Sequence, residues 1–310
     1  MRGETRAVID VGTNSVKLLV ANVSGKVVTP LHEGSHQTRL GQGFYESHVL
    51  QAGAIDQTAK AVADFINEAH SWNPVSAKII ATSAARDAVN KEELLSAIES
   101  VAGIPVTIIS GEQEADWAYK GVTSDPQLAS GNLLVMDVGG GSSEFILGSD
   151  GERIFAESFP VGSVRLLERI SVSDPPSPGE LAECERAVRA VLMERVVPML
   201  QPKLKAVGNA VQFVGTGGTS TILARIQLKL RSFSREMIEG TFLSRETLKT
   251  EMMRLWSVPL GRRKQIIGLP PNRADVILPG VVIFHQVMEI FDLTTLRVST
   301  RGLRFAALMD

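Results

Sequence analysis

Residues 7–23 read AVIDVGTNSVKLLVANV, and residues 133–148 read LLVMDVGGGSSEFILG. The two stretches align when Asp10 is set against Asp137, which follows it by 127 residues. The other aligned pairs are Val11 with Val138, Gly12 with Gly139, Ser15 with Ser142 and Lys17 with Glu144. Each copy is an apolar run ending in Asp, a turn rich in glycine and hydroxyl residues, and a second apolar run. This pattern predicts a β-hairpin whose tight loop offers backbone N–H groups and hydroxyls to a phosphate.

The repeat predicts two similar domains with a phosphate-binding cleft between them. Because an acidic residue ends the first strand of each hairpin, we expect a divalent metal near the cleft. A polar, turn-rich segment at 123–131 comes just before the second copy. It predicts a boundary that leaves one domain over 1–123 and the other over about 124–300. The length of 310 residues is about right for two such cores.

Composition restricts the class of protein. Apolar residues make up 44% of the chain and charged residues 21%, which is typical of globular proteins. The formal charge of −2 gives no basic footprint, so we expect no nucleic acid as a partner. The single cysteine, Cys184, cannot form an internal disulfide, and a buried thiol in a reducing cytoplasm is expected. Polar residues interrupt the longest apolar stretch, 276–291, so no membrane span is predicted, and no signal-peptide pattern is present.

Strand-like and helix-like patterns alternate along the chain, which predicts an α/β protein. The predicted strands lie at 7–10, 16–23, 27–29, 77–81, 105–109, 133–137, 143–148, 153–158 and 211–214. The predicted helices lie at about 50–71, 91–102, 112–122, 163–170, 179–200, 245–256 and 273–290. A short helix is also expected over 301–310.

The two hairpin loops are the first candidates for phosphate binding. They offer Thr13, Asn14 and Ser15 in the first copy and Gly139, Gly140, Gly141, Ser142 and Ser143 in the second. One such loop alone would be an ordinary turn, but two matched loops with matched aspartates favour a binding site. A third glycine loop, at 213–221, leads from a strand into a helix, where a nucleoside or a remote phosphate could rest. The GxxxxGK[ST] pattern of a P-loop is absent from the sequence.

Two further segments place charged residues where they could act on a phosphate. Ser110 is the expected cap of a helix whose first turn contains Glu112 and Glu114. Acidic first turns are common, but a phosphate cleft also needs one carboxylate that orients water, and Glu114 is the candidate. Arg86 follows a predicted strand. It either binds a phosphate through two parallel hydrogen bonds or pairs with Asp87 at the surface. The five histidines are scattered, which argues against a histidine metal site.

In combination, these segments resemble the Ppx/GppA family of exopolyphosphatases and guanosine pentaphosphate phosphohydrolases, a branch of the actin–Hsp70–sugar-kinase superfamily. The resemblance covers almost the whole chain. It rests on AVIDVGTNSVKLLV (7–20), TRLGQGF (38–44), ATSAARDA (81–88), ISGEQEA (109–115), VMDVGGGSSEF (135–145), FPVGSVRLLE (159–168), FVGTGGTST (213–221) and NRADVILPG (272–280). It implies two actin-like, ribonuclease H-like domains of the ASKHA type flanking a cleft, with 301–310 packed back on the first domain.

The resemblance also implies a reaction and the residues that carry it. Relatives remove terminal phosphates from polyphosphate or pppGpp with Mg²⁺, and Mn²⁺ is a second candidate cofactor. Glu114 matches the glutamate that activates the attacking water, and Glu144 matches a second essential carboxylate. Metal binding is implied for Asp10, Asp137 and Glu144. The candidate phosphate-binding residues are Gly12, Thr13, Asn14, Ser15, Arg86, Gly139, Gly140, Gly141, Ser142, Ser143, Gly215, Gly217, Gly218 and Thr219.

We therefore expect a cytoplasmic exopolyphosphatase that needs Mg²⁺ or Mn²⁺ and stops when a chelator is added. Hydrolysis of pppGpp is the alternative within the family, and an ASKHA-type kinase or a non-enzymatic actin-like assembly protein are rivals outside it. Against a kinase, the sequence contains no recognisable sugar-binding segment. The chain resembles the short, two-domain form of the family, without the extra C-terminal helical domains of longer relatives. A homodimer is a further expectation, and no membrane partner is expected.

Overall fold

Strands and helices alternate along the chain and form two separate sheets. The computed structural model describes residues 3–208 and 210–310. The strands are β1 (Glu4–Val11), β2 (Val16–Ser24), β3 (Val27–His36), β4 (Ser76–Ala81), β5 (Val106–Ile108), β6 (Asn132–Val138), β7 (Ser143–Ser149), β8 (Glu152–Phe159), β9 (Val211–Thr216), β10 (Phe242–Ser244) and β11 (Thr295–Val298). The helices are α1 (Ala52–His70), α2 (Ser83–Asp87), α3 (Lys91–Ala102), α4 (Gly111–Thr123), α5 (Ser163–Ile170), α6 (Pro178–Val191), α7 (Val197–Val207), α8 (Gly217–Leu228), α9 (Arg235–Ile238), α10 (Arg245–Trp256), α11 (Leu260–Arg263), α12 (Ile277–Ile290) and α13 (Leu303–Met309).

The two sequence copies around Asp10 and Asp137 begin two sheets with the same strand topology. The first sheet has the strand order β3-β2-β1-β4-β5, and the second has β8-β7-β6-β9-β11 with β10 added at its edge. In each sheet the three strands of an antiparallel meander precede parallel strands. Asp10 pairs across its hairpin with Lys17, and Asp137 pairs with Glu144. The aligned residues of the two copies therefore occupy equivalent cross-strand positions.

Both faces of the first sheet are covered, so its central strands are apolar on both sides. In β1, Val8 and Ile9 point to opposite faces, and both are buried. Ile9 packs in a cluster with Phe65 of α1, whereas Val8 packs with Trp117 of α4 and Phe305 of α13. The first sheet is thus a layer between α1 on one side and the α4–α13 pair on the other.

Helix α4 lies between the two sheets and contacts both. Its Trp117 packs in the cluster of the first sheet, while Tyr119 packs with Leu133 and Val135 of the second. The C-terminal helix α13 packs against α4, β1 and β2. The segment predicted as the boundary, 123–131, follows α4 directly, so the helix that precedes it is part of the interface between the two sheets.

All nine predicted strands and all seven predicted helical regions are present, with changes in detail. The single helix predicted over 179–200 is interrupted by one π turn at Leu192–Val196. Pro198 follows this turn and has no N–H to donate to the carbonyl four residues before it, which explains the break. The helix predicted over 273–290 starts later, at Ile277, after a 3₁₀ turn at Pro271–Arg273. Strands β10 and β11 and the short helices α2, α9 and α11 were not predicted.

Two expectations drawn from composition can be compared with the structure. Cys184 is buried in α6, and this burial raises the pKa of its thiol to about 12, so it is a core residue and not a reactive thiol. Across residues 3–208 and 210–310, no helix combines the length and the apolar character needed to cross a membrane.

Candidate active site

The two hairpin loops face each other across a narrow cavity of about 90 Å³, called the phosphate cleft below. Each loop is closed by the same hydrogen bond: the Gly12 amide donates to the Ser15 carbonyl at 3.0 Å, and the Gly139 amide to the Ser142 carbonyl at 2.9 Å. The predicted residues that line the cleft are Asp10, Gly12, Thr13, Asn14, Ser15, Glu114, Asp137, Gly139, Gly140, Gly141, Ser142, Glu144, Gly218 and Thr219. The structure therefore brings together most of the residues that the sequence indicated.

A neighbouring segment holds the first loop by its carbonyl groups. The backbone amide of Gly41 donates to the Thr13 carbonyl at 2.8 Å, and that of Arg39 donates to the Asn14 carbonyl at 3.1 Å. These bonds explain why the segment TRLGQGF accompanies the first hairpin in the sequence. Because the carbonyls are satisfied behind the loop, its amides and side-chain donors remain available on the cleft side.

Helix α5 holds the second loop in the same way. The backbone amide of Ser163 donates to the Gly139 carbonyl at 3.0 Å. The side chain of Arg165 donates through Nε to the Gly141 carbonyl at 2.8 Å. The first turn of α5 is therefore used to support the loop, and the loop itself is the surface that an anion meets.

Several buried polar atoms at the cleft have no hydrogen-bond partner within the described part of the chain. They are Asp10 Oδ1, Thr13 Oγ1, Asn14 Nδ2 and Ser83 Oγ, and all four residues line the cleft. A buried polar group without a partner costs about 1–3 kcal/mol. The Asn14 amide and the Ser83 hydroxyl can donate hydrogen bonds to an anion, and the Asp10 carboxylate oxygen can bind a cation that accompanies it. Ser83, at the start of α2, was not among the predicted residues.

Glu114 enters the cleft because of how α4 begins. The Ser110 hydroxyl caps the helix by accepting a hydrogen bond from the Gln113 amide at 3.1 Å, which confirms the predicted cap. This start turns Glu114 inward, where it is 8% exposed, while the side chain of Glu112 is 76% exposed. Burial raises the pKa of the Glu114 carboxyl well above its usual range, and repulsion from Glu144 adds to the effect.

Arg86 lies against Glu114. Its Nη1 donates to Glu114 Oε2 at 3.0 Å and to the Ile109 carbonyl at 3.1 Å. Its Nε is 3.9 Å from Asp87 Oδ1, so the surface pair considered from the sequence is present but long. The contact with Glu114 lowers the pKa of that carboxyl and partly offsets the effect of burial. Arg86 is therefore a partner of the candidate base, and its binding to phosphate stays a prediction.

Glu144 is the second buried carboxylate of the cleft. Its Oε1 accepts hydrogen bonds from the Ser142 hydroxyl at 2.8 Å and from the Ser158 hydroxyl at 2.7 Å. Burial, with added repulsion from Asp137, raises the pKa of Glu144 to about 7, against the lowering effect of the two hydroxyls. Ser158 comes from β8, next to Glu144 in the sheet, and the sequence did not indicate it.

Lys17 is a cation that the sequence did not assign to the site. It lines the cleft together with its cross-strand partner Asp10 and with Asp137. Burial raises the pKa of both aspartates, and the nearby Lys17 ammonium lowers it again. Burial also lowers the pKa of Lys17, against the attraction of Asp10. In the alignment of the two hairpins Lys17 matches Glu144, so the same hairpin position holds a cation in the first copy and an acid in the second.

The predicted metal site at Asp10, Asp137 and Glu144 can be tested for fit. No three His, Cys, Asp or Glu side chains in residues 3–208 and 210–310 are grouped closely enough to hold an ion. Mg²⁺, however, is usually held by one or two carboxylates and shared with water and substrate phosphates. The unpartnered Oδ1 of Asp10, beside the half-buried Asp137, fits such a site. The metal and its ligands stay a prediction.

A wider cavity of about 410 Å³ opens beside the cleft and is called the basic cavity below. Its charged lining residues are the four cations Lys17, Arg225, Arg273 and Arg304 and the three acids Asp10, Glu33 and Asp137. Arg273 links it to the first loop, because its Nη2 donates to the Ser15 hydroxyl at 2.6 Å. Burial lowers the pKa of Arg273 to about 10, so it remains charged at neutral pH. Arg273 lies in the segment NRADVILPG, which the sequence indicated as a motif without giving it a role.

The glycines of the third loop lie in two environments, the basic cavity and the core. Gly217 and Gly218 line the basic cavity, and Gly217 has a φ of +85°. A side chain there would also collide with the Asp137 carboxylate, so only glycine fits. Gly215 instead lies inside β9, packed against Phe284, and its role is packing.

Ser143 is a further predicted residue, and the structure places it outside the lining of the cleft. It is fully buried at the start of β7 and donates to the Val161 carbonyl at 2.6 Å. Because its hydroxyl is used in this bond, Ser143 supports the second loop from behind. The adjacent Ser142, by contrast, lines the cleft and donates to Glu144.

Comparison with known proteins adds a separate observation. The profile of the Ppx/GppA phosphatase family matches residues 19–310. Exopolyphosphatase 2 of Mycobacterium tuberculosis is 31% identical over 290 residues, which cover 91% of this chain and 89% of that protein. The crystal structure of an exopolyphosphatase from Cytophaga hutchinsonii is 26% identical with a TM-score of 0.86, covering 98% and 96% of the two chains. The Aquifex aeolicus PPX-GPPA enzyme is 30% identical with a TM-score of 0.77, covering 99% of both chains. These structures confirm the predicted actin-like ASKHA fold.

Proposed function

We propose that this chain, which belongs to the Ppx/GppA phosphatase family, releases the terminal orthophosphate of inorganic polyphosphate. Family membership makes it a hydrolase that acts on phosphoanhydride bonds. The choice of polyphosphate is supported above all by the adjacency of the two cavities. Asp10, Lys17 and Asp137 line both the narrow cleft, where Glu114 lies, and the wider basic cavity. This arrangement suits a polyanion whose terminal unit is held apart from the rest of the chain.

The two loops bind the terminal phosphoryl group. Their tip amides and the hydroxyls of Thr13 and Ser15 donate to its equatorial oxygens, which carry most of the charge in phosphoryl transfer. The remaining phosphates extend into the basic cavity, where Lys17 and Arg273 neutralise them. Such contacts hold the substrate in position for the reaction, and positioning is the main source of catalysis in this chemistry.

Glu114 orients the attacking water on the side of the cleft away from the leaving chain. The water oxygen forms a bond to the terminal phosphorus as the bridging P–O bond breaks, and the water proton passes to Glu114. The electron pair of the broken bond remains on the shortened chain, beside Lys17 and Arg273. Because burial raises the pKa of the Glu114 carboxyl, this group accepts a proton more readily than an exposed glutamate does. Mg²⁺, when held by Asp10, Asp137 or Glu144, would add Lewis-acid neutralisation of the phosphate oxygens.

The product distinguishes this function from its rivals. Purified protein with polyphosphate and Mg²⁺, but no acceptor, should release orthophosphate from chain ends. A kinase of the same superfamily would instead need an acceptor molecule and would form a phosphorylated product. Side-by-side turnover of polyphosphate and pppGpp would then fix the preferred substrate. No orthophosphate from polyphosphate, together with rapid turnover of pppGpp, would contradict the proposal and favour the second family activity.

A pppGpp phosphohydrolase is the second candidate because an aromatic residue lies in the basic cavity. Phe233 lines this cavity and is 45% exposed, so its ring is accessible to a planar ligand. Aromatic rings stack on nucleobases with about 1–3 kcal/mol per base. A polyphosphate chain has no base to stack, whereas the guanine of pppGpp could reach the ring if its triphosphate occupies the cleft.

Phe233→Ala separates the two substrates. If guanine stacks on this ring, the KM for pppGpp should rise by roughly 5–100-fold while the KM for polyphosphate stays unchanged. Phe242→Ala is the control, because Phe242 is also exposed but does not line the basic cavity. Steady-state kinetics with both substrates give the comparison. An equal effect of Phe233→Ala on both substrates would show that the ring supports the fold and not a base.

Mg²⁺ should stabilise the substrate-free protein at pH 8, because a cation relieves the repulsion among the buried carboxylates. At 100 times its Kd the ion would add about 2.7 kcal/mol, visible as a higher Tm in thermal unfolding. Asp10→Asn should abolish most of the shift, whereas Asp64→Asn, at an exposed position of α1, should keep it. A wild-type Tm that does not respond to Mg²⁺, or an Asp10→Asn variant that responds fully, would contradict this site.

A further inference from the structure

A third cavity adjoins the phosphate cleft and is called the side cavity below. It has a volume of about 360 Å³ and lies between α2, the start of α4, β8 and α5. Ser83 and Ser142 line both the side cavity and the cleft, so the two spaces meet at these residues. Among the described residues, the side cavity and the basic cavity share none of their lining. The cleft therefore adjoins two different spaces. Cationic residues outnumber acidic ones by four to three in the lining of the basic cavity, and acidic residues outnumber cationic ones by three to two in the lining of the side cavity.

Two arginines connect the side cavity to the site of reaction. Arg86 lines the cavity and contacts the candidate base Glu114 at 3.0 Å. Arg165 lines it from the other half and donates to the Gly141 carbonyl of the second loop at 2.8 Å. Each guanidinium therefore lies at the side cavity and also contacts a residue that lines the cleft, Glu114 for Arg86 and Gly141 for Arg165.

A single carboxylate occupies the space between these arginines. Asp87 Oδ1 is 3.9 Å from Arg86 Nε, and Asp87 Oδ2 is 3.5 Å from Arg165 Nη2. Both distances are longer than a good charge-assisted hydrogen bond, and the Asp87 side chain is 37% exposed. Asp87 thus bridges two guanidinium groups loosely, in a place where a tetrahedral anion could bridge them with shorter contacts.

We propose that the side cavity binds the newly released orthophosphate between Arg86 and Arg165, displacing Asp87, and is its route to solvent. This inference rests on the proposed function. In-line attack moves the phosphoryl group toward Glu114 and away from the leaving chain. The product then lies at Ser83 and Ser142, beside the side cavity, while the shortened chain still fills the basic cavity. Because Glu112 and Glu157 lie at this cavity as well, the bound phosphate is held weakly and leaves.

Asp87→Asn tests the route by removing the charge that competes with phosphate for the two arginines. Acid quench measures phosphate cleaved, and a fluorescent phosphate-binding protein measures phosphate released, in the same rapid-mixing experiment with polyphosphate. We expect the first-turnover cleavage rate to stay unchanged while release becomes slower by roughly tenfold. Glu92→Gln, an exposed carboxylate of α3, is the control and should leave both traces unchanged. A slower cleavage step, or release that keeps pace with cleavage, would overturn the proposal.

A second variant blocks the cavity without changing its arginines. Glu157→Trp places a large side chain at an exposed position of β8 that lines the side cavity, and Glu152→Trp places the same side chain elsewhere on that strand. Only Glu157→Trp should make phosphate release slower than phosphate cleavage. If neither variant delays it, the product leaves by the basic cavity and the proposal is wrong. If the wild type does not cleave polyphosphate, the proposed function fails, and the same two traces with pppGpp still test the exit.

Discussion

Glu114→Gln should lower the rate of phosphate release by roughly 10²–10⁴-fold, the usual contribution of a positioned general base. The amide keeps the shape and burial of the carboxylate but cannot accept a proton from water. Substrate affinity should stay the same or increase slightly, because one negative charge leaves a cleft built for anions. Arg86, now without its ionic partner at 3.0 Å, becomes free to bind phosphate. Single-turnover cleavage and the KM for polyphosphate separate the two effects.

Glu112→Gln is the control within the same helix turn. The Glu112 side chain is 76% exposed and lies 3.6 Å from Arg153, in a surface pair that contributes little. Its loss should weaken the start of α4 by about 0.3–1 kcal/mol of stability and leave single-turnover cleavage unchanged. If both substitutions reduced activity equally, or if Glu114→Gln turned over normally, Glu114 would not be the base. The mechanism would then have to be rebuilt around Glu144.

The acid dependence of the reaction should follow the same carboxyl group. Because burial raises the pKa of Glu114, a larger fraction of it is protonated near neutral pH than for an exposed glutamate. The kcat/KM for polyphosphate should therefore fall with decreasing pH over a range where an exposed carboxylate is still ionised. The kcat/KM of Glu114→Gln should not show this fall at low pH, because the variant has no carboxyl group at this position to be protonated.

The architecture could be predicted from the sequence because its signals are local and repeated. The hairpins around Asp10 and Asp137 are complete within about 17 residues each, and their alternation of apolar runs and turns needs no distant information. Strand β10 has three residues and β11 has four, which is too short for a period of two to be visible. Both strands exist because they extend an edge of a sheet that is already formed.

The sequence predicted part of the site. Two of the residues that it did not indicate reach the site from distant parts of the fold. Arg273 reaches the Ser15 hydroxyl across 258 residues of sequence, and Ser158 reaches Glu144 from another strand. Such contacts depend on packing and leave no local pattern. Lys17 did carry a signal, since it occupies the position that aligns with Glu144. Arg86 was placed near the cleft correctly, but only the structure shows that it contacts Glu114.

Three buried carboxylates around one narrow cleft also affect stability, and Glu144 is the clearest case. Its pKa rises from 4.5 in the unfolded chain to about 7 in the folded protein. An acid with a raised pKa binds its proton more tightly when folded, so its favourable contribution is complete below pH 4.5 and is lost as the pH rises through 7. At pH 8 the folded protein therefore holds an ionised, desolvated Glu144 at a cost on the order of 3 kcal/mol. Active sites commonly retain such costs because the charge is needed for function.

Glu144→Gln should accordingly be more stable than the wild type at pH 8 while losing ~10²-fold or more of its activity. Both serine hydroxyls donate to Oε1, so the amide oxygen of glutamine can keep both bonds, and only the charge is removed. Urea unfolding should show a gain of about 3 kcal/mol at pH 8 that shrinks toward zero near pH 4.5. Glu157→Gln, an exposed carboxylate on the adjacent strand β8, should show no such pH-dependent gain. A Glu144→Gln variant that is less stable at pH 8, or equally more stable at both pH values, would mean that Glu144 is not a charge held in the cleft at the expense of stability.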